Sequence, residues 1–137
     1  MPASTHISLS ELQALIKRGI DNAHPLPYWV TAEISELKVN YSGHCYIELV
    51  EKGGANHVPK AKASAVIWRS GYSMIASYFQ GATGQVLAAG LKVLVKVVVS
   101  YHELYGLSLQ ITDIDPTYTL GDMERQRQET IRRLRLR

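Results

Sequence analysis

The sequence offers little for cross-linking or metal binding, with one cysteine, Cys45, in 137 residues. An internal disulfide framework and a multi-cysteine zinc site are thereby excluded. No apolar run approaches the ~20 residues that a membrane-spanning helix needs. Residues 1–6 hold neither a basic patch nor a hydrophobic stretch, so no secretory signal is visible and a cytoplasmic protein is expected. Glycine-rich phosphate loops and dinucleotide fingerprints are missing, and no nucleophile stands spaced beside His102-Glu103. A surplus of charge is missing too. From Gly121 onward six arginines face three acids, which accounts for the whole net charge of +3. The preceding 120 residues carry nine basic and nine acidic side chains. A nucleic-acid site in that body must therefore come from how its cations are arranged, not from their excess.

What is present suits one domain: 46% of the residues are apolar and 20% charged, a globular balance. At this length folding buries roughly two-thirds of the surface of the unfolded chain. Ser8 and Glu11 have capping-box spacing, Ile7 and Leu12 that of a hydrophobic staple. Leu9, Leu12, Leu15, Ile16 and Ile20 recur at helical spacing, which predicts a helix with one buried face, closed by Pro25 and Pro27. Five strand patterns follow. Residues 29–39 alternate, with Val30, Ala32 and Ile34 on one face, and Asn40-Tyr41-Ser42-Gly43 is turn chemistry. In 44–50, Cys45, Ile47 and Leu49 point inward. Gly53-Gly54 and Pro59 mark an extended hairpin connection, and 62–69 forms the third strand. The period then changes over 73–79, where Met74, Ile75, Tyr78 and Phe79 suit a short helix ending near Gly81. In 92–101, Val93, Val95, Val97 and Val99 share a face. In 107–114, Leu107, Leu109 and Ile111 do, before Asp115-Pro116 ends the strand. Residues 120–137 read as a basic helix.

Helix, three strands, short helix, two strands and a final helix match a mainly β fold, the five-stranded Greek-key OB-fold barrel. The expected division is 1–28 (helix and linker), 29–119 (barrel) and 120–137 (helix, the start of a further region).

Several motifs in order extend this reading. They are Trp29-Val30 with Glu33-Ile34-Ser35, Ser42-Gly43-His44 leading to Tyr46, and Ile67-Trp68-Arg69. Val93-Leu94-Val95, and Tyr105-Gly106 before Leu109-Gln110-Ile111, complete the series. From about Ile7 to Leu134 the chain resembles the N-terminal domain of the exodeoxyribonuclease VII large subunit. The resemblance implies an OB-fold that binds single-stranded DNA and presents it to a separate nuclease domain, in a protein that also engages small subunits. No membrane partner is implied, and no cofactor is expected in this part of the protein. The hydrolytic exonuclease activity would lie in that other domain, leaving this chain non-catalytic.

In an OB-fold the second and third strands and the loops between strands one and two and four and five form the binding face. Rings there stack on bases while cations follow the phosphates. Candidate rings are Tyr41, His44, Tyr46, Tyr101 and Tyr105, and candidate cations Lys38, Lys62, Arg69 and Lys96. For each there is a plainer role: tyrosines in strands usually pack half-buried, and strand lysines are usually solvated. His44 could instead fix the strand through a backbone carbonyl, and Arg69 could pair with an acid. Trp29 and Trp68 are large enough to expect burial, and Tyr72, Tyr78, Tyr118 and Phe79 are assigned to packing. Asp113 and Asp115 could resemble a metal pair, but beside Pro116 they fit a turn cap better. Cys45 is expected in the core, not as a reactive thiol. The arginine-rich helix could meet nucleic acid or an acidic membrane, though an exposed segment of a longer helical element suits it better. The neutral body supports an alternative, a protein-interaction OB module that orients subunits without holding nucleic acid.

Overall fold

Val93, Val95 and Val97 are each at most 2% exposed, as befits a strand whose alternate side chains enter a closed core. The computed structural model describes residues 5–53 and 58–135. Gly54 of the expected Gly53-Gly54 turn, residues 1–4 and the final Leu136-Arg137 lie outside the described residues. The elements are α1 (Leu9–Ala23), β1 (Tyr28–Val39), β2 (Cys45–Lys52), β3 (Pro59–Ile67), α2 (Arg69–Thr83), β4 (Lys92–His102), β5 (Gly106–Ile114) and α3 (Pro116–Arg135). The strands close into a barrel in the order β1-β2-β3-β5-β4, with β4 returning to β1. All pairings are antiparallel except the short β3–β5 contact, Ala65 with Leu109 and Val66 with Gln110. This is the mainly β OB-fold that the pattern of elements predicts.

Two bulges explain where simple alternation breaks down. On β1 the register shifts between Ile34 and Glu36, leaving Ser35 as the extra residue. Val30, Ala32 and Ile34 pack inward before it and Leu37 after it. On β5 a shift opposite Lys96 and Val97 lets both Ile111 and Ile114 enter the core. Leu107, expected inward by alternation, is 57% exposed at the barrel's rim.

The helix between β3 and β4 is longer than the pattern over 73–79 predicts. The N–H groups of Gly71 and Tyr72 donate to the Trp68 carbonyl, so the helix starts at Arg69, which the sequence placed in a strand. Its far end is set by Gly84, whose φ of 72° is the left-handed cap that glycine adopts without strain. Between them α2 buries Ile75 and Phe79 in the barrel core. Tyr72 is half-buried as expected, whereas Tyr78 faces out.

The expectation of a buried face on α1 is corrected. Ser8 caps it, accepting from the Glu11 N–H at 3.1 Å, but its hydroxyl also meets the Glu11 carboxylate, so the reciprocal bond of a full capping box is replaced. No α1 residue is buried, and Ile7, Leu9, Leu12, Leu15 and Ile16 are all exposed. The barrel core is already filled by its own strands and α2, so α1 lies against the outside of β4. Trp29 is likewise half in water, opposite Lys96 on the outer wall.

The last helix begins at Pro116, earlier than the apolar pattern from Leu120 indicates. The Asp115 carboxylate accepts from the Thr117 N–H and hydroxyl at 3.0 and 2.6 Å, and these bonds hold it below its ordinary range. Pro116 follows at the first helical position, where its missing N–H is harmless. The Thr119 hydroxyl donates to the Lys92 carbonyl at 2.7 Å. Buried Asp122 accepts from Gln126 at 2.9 Å and lies 3.7 Å from the Lys92 ammonium, fastening α3 to β4. Among the described residues no helix is long and apolar enough to cross a membrane.

Candidate nucleic-acid interface

The β1–β2 turn is a compact hydrogen-bonded unit. Asn40 donates its N–H to the His44 carbonyl and receives the His44 N–H on its side-chain oxygen, both at 3.0 Å. Gly43 sits at φ 91°, and a Cβ there would stand 2.9 Å from Cγ of Arg69. The Arg69 stem therefore lies over this turn, at a spot that only glycine leaves open. The Arg69 N–H donates to His44 Nδ1 at 3.0 Å, so the neutral ring carries its proton on Nε2. His44 thus fixes the junction as an acceptor from backbone, not as a donor to a carbonyl. Its ring meets Trp68 edge-on, with centroids 5.1 Å apart.

Trp68 is 42% exposed, against the burial expected from its size. β3 ends one residue earlier, so the indole leaves the barrel wall at the strand-to-helix corner. Beside it on the outer face is half-exposed Tyr46, flanked across the strands by Lys38 and Val66. At the opposite end the β4–β5 turn presents Tyr105, 82% exposed, with its ring stacked on His102 at 4.7 Å and 29°. His102 Nδ1 accepts from the Leu104 N–H at 3.0 Å, and Gln13 of α1 donates to the Glu103 carbonyl at 2.7 Å. The turn that carries Tyr105 is held from both sides.

Tyr46, Trp68, His102 and Tyr105 line one groove of about 750 Å³. Ser64, Ser100, Ser108 and Gln110 supply its polar groups, over Ala65, Val66 and Leu107. None of these side chains is a carboxylate, an ammonium or a guanidinium. Trp68 and His102 join the site, a role that sequence reasoning assigned to neither. The Ile67-Trp68-Arg69 corner was the available signal, and it was masked by the usual link between indole size and burial.

The four candidate cations do not gather here. Lys38 stands at the rim beside Tyr46, and Arg69 follows Trp68. Lys62 is paired with Glu48 at 3.2 Å. The Ser35 hydroxyl also donates to Glu48, at 2.9 Å, and that bond first, then Lys62, holds this carboxyl below its ordinary range. Lys96 faces Trp29 and Asp113, roughly 13 Å down β4 from Ser100 at about 3.3 Å per residue. Among the candidate rings, Tyr41 is fully exposed at the β1–β2 turn, apart from the groove lining. Half-buried Tyr101 continues the inward row of Val97 and Val99, on the opposite side of β4 from His102. Asp113 accepts the N–H of Ile114 at 2.8 Å, and no three of His, Cys, Asp and Glu gather for a metal among the described residues. Cys45 is fully buried, and burial pushes its thiol up to about 11.

With the barrel and its groove in view, the comparison with known proteins is direct. This chain belongs to the family of OB-fold nucleic acid binding domains, whose model matches residues 7–115. It is also 38% identical over 125 residues to the exodeoxyribonuclease 7 large subunit of Deinococcus radiodurans. That match covers 88% of this chain and 30% of the relative, so the chain spans less than a third of that relative's length. Among solved structures, the N-terminal domain of PriB from Thermoanaerobacter tencongensis is similar with a TM-score of 0.44 at 11% identity, covering 66% of this chain and 94% of that one. PriB from Ralstonia solanacearum gives 0.38 at 12% identity, over 66% of this chain and 96% of that one. These two likenesses are too loose to argue from.

Proposed function

We propose that this chain is the single-strand-binding domain of an exodeoxyribonuclease VII large subunit, gripping single-stranded DNA and presenting it to a nuclease domain outside the chain. The observation that carries this reading is the open groove lined by Tyr46, Trp68 and Tyr105, with no carboxylate among its lining residues. Exposed rings on an OB-fold's outer face are what unpaired bases stack on. The similarity to a large subunit supports the division of labour: residues 29–119 bind, 1–28 and 120–137 flank, and hydrolysis belongs elsewhere in the whole protein. Small subunits are the partners of that whole protein, and its place is the cytoplasm.

Fluorescence anisotropy with a labelled thymidine oligonucleotide tests this, with the same label on a duplex as the control. Single strands bind in preference to duplex at 50 mM salt; absence of binding there overturns the reading. One observation favours a second reading. The exposed apolar residues of α1 suit a protein-interaction module that orients subunits without nucleic acid. Light scattering after size exclusion separates the two, because that module self-associates or captures a partner in the absence of DNA.

A further inference from the structure

Helix α2 starts with residues that a helix N-terminus does not favour. Trp68 stands at its N-cap with no side-chain hydrogen bond, Arg69 follows at the first helical position, and no acid lies in the first turn. Such an end leaves N–H groups to be satisfied from outside and disfavours positive charge. His44, from the other side of the barrel corner, supplies one acceptor. Its Nδ1 takes the Arg69 N–H at 3.0 Å, and its ring meets Trp68 edge-on. At the other end of the groove His102 repeats the device. Its Nδ1 takes the Leu104 N–H at 3.0 Å, and its ring stacks on Tyr105. Both ends of the groove thus depend on an imidazole whose Nδ1 carries no proton.

We propose that His44 and His102 are positioning residues whose protonation disassembles the groove, so that a bound single strand is released as the solution turns mildly acid. The proposal rests on the single-strand reading above and adds the condition under which that site stands assembled. An imidazole takes its second proton as pH falls through about 6.5. At Nδ1 that proton confronts the N–H it had accepted. The Arg69 N–H then loses its partner, and an imidazolium stands at a helix N-terminus beside a guanidinium. The turn that carries Tyr105 loses its Leu104 bond in the same way. Around His44 the charged groups are Arg69 on α2 and Lys38 on β1, whose partner across the strands is Tyr46. Cys45 and Tyr72 behind it are raised and keep their protons in acid. Around His102 they are Glu103 on its own turn and, one helical turn beyond Gln13 on α1, Lys17, which pairs with Asp21 at 3.7 Å. Among the described residues neither ring pairs with a carboxylate. Glu48, whose cross-strand partner Ser64 lines the groove, is held below its ordinary range by Ser35 first and then Lys62, so it stays charged while imidazoles titrate.

Acid acts here with the opposite sign to simple charge. Histidines that merely face phosphates bind DNA more tightly once protonated, whereas these rings lose the bonds they hold. The test measures affinity for a labelled thymidine oligonucleotide at 50 mM salt from pH 7.5 to 5.5. The parent weakens by about 5-fold or more, the worth of one to two net hydrogen bonds. Affinity that rises or stays level overturns the proposal and leaves single-strand binding intact. Asparagine places an amide oxygen where imidazole has Nδ1, and it does not titrate. The double variant His44→Asn, His102→Asn therefore loses less than about 2-fold over the same range; the parent's full acid loss in that variant overturns the proposal. His44→Ala, without the acceptor at any pH, starts about 2- to 10-fold weaker at pH 7.5. A readout without DNA stands beside these. The chain has two tryptophans, so in Trp29→Phe the emission comes from Trp68 alone. It changes between pH 7.5 and 5.5, and adding His44→Asn abolishes the change. Emission indifferent to pH overturns the proposal even where a variant is too unstable for titration. Absence of binding at pH 7.5 fells the functional reading itself, and the Trp68 emission still judges the histidine brace.

Discussion

Helices α1 and α2 are each fifteen residues long, and each carries an apolar stripe, yet they have unlike fates. α2 drives Ile75 and Phe79 into the barrel, whereas α1 buries nothing. The difference lies in what stands opposite each helix. α2 connects β3 to β4, and its Ile75 and Phe79 join the single buried cluster that the inward rows of the strands form. α1 meets the outer side of β4, whose inward valines already face away from it. Amphipathicity thus tells which face of a helix is apolar, and leaves open whether a core awaits that face. What α1 does hold is the β4–β5 turn, through Gln13. One helix seals the core and the other braces the groove.

The sharpest way to break this contrast is to truncate α2's plug. Phe79→Ala is expected to cost about 3–5 kcal/mol in urea unfolding, as removal of a fully buried ring does. If it costs no more than an exposed substitution, α2 does not seal the core. Next comes alkaline pH. Burial beneath α2 raises Cys45 from an ordinary 9.0 to about 11, and burial and then Cys45 itself raise Tyr72. Between those pH values an unfolded chain releases the thiol proton while the folded one keeps it, so stability falls as pH rises from 9 to 11. In Cys45→Ala that part of the alkaline loss disappears; an identical pH profile for both proteins would argue against a sealed core.

Smaller effects follow. Gly84→Ala places a Cβ at φ 72° and should cost about 1–2 kcal/mol in thermal unfolding. Gln13→Ala removes one hydrogen bond outside the core. It should leave the thermal midpoint in place and weaken single-strand binding by roughly 2- to 10-fold, the value of one net hydrogen bond. A shifted midpoint with unchanged binding would reverse the role given to α1. Smallest is Leu12→Ala on the exposed stripe, which should stay within about 0.5 kcal/mol of the parent.

Much of the fold was legible because it rests on local pattern: alternating valines in β4, turn chemistry at residues 40–43, and a proline after the last strand. The bulge at Ser35 was hidden, since an inserted residue changes which side chains point inward without any change in residue type. The start of α2 at Arg69 was hidden too, because the bonds that set it run to the carbonyl of Trp68, and tryptophan is no habitual cap. Within the candidate site, Tyr46 and Tyr105 were visible as outward and turn positions. The scattering of the cations was not. Charge counts reveal balance over the whole body, whereas the pairing of Lys62 with Glu48 depends on strand register. Trp68 and His102 became visible as groove residues only when the ends of β3 and β4 were known.

Ser35 has a consequence for closure of the ring. The first half of β1 pairs with β4 and the second with β2, so this one strand is the seam where the sheet meets itself. A chain shortened by that serine would set Ile34 and Leu37 two residues apart, both still inward by plain alternation, and would lose only the extra bend and twist that a spare residue adds where β1 passes from one neighbour to the other. The single spare residue is the hinge pin that lets a flat ribbon become a tube.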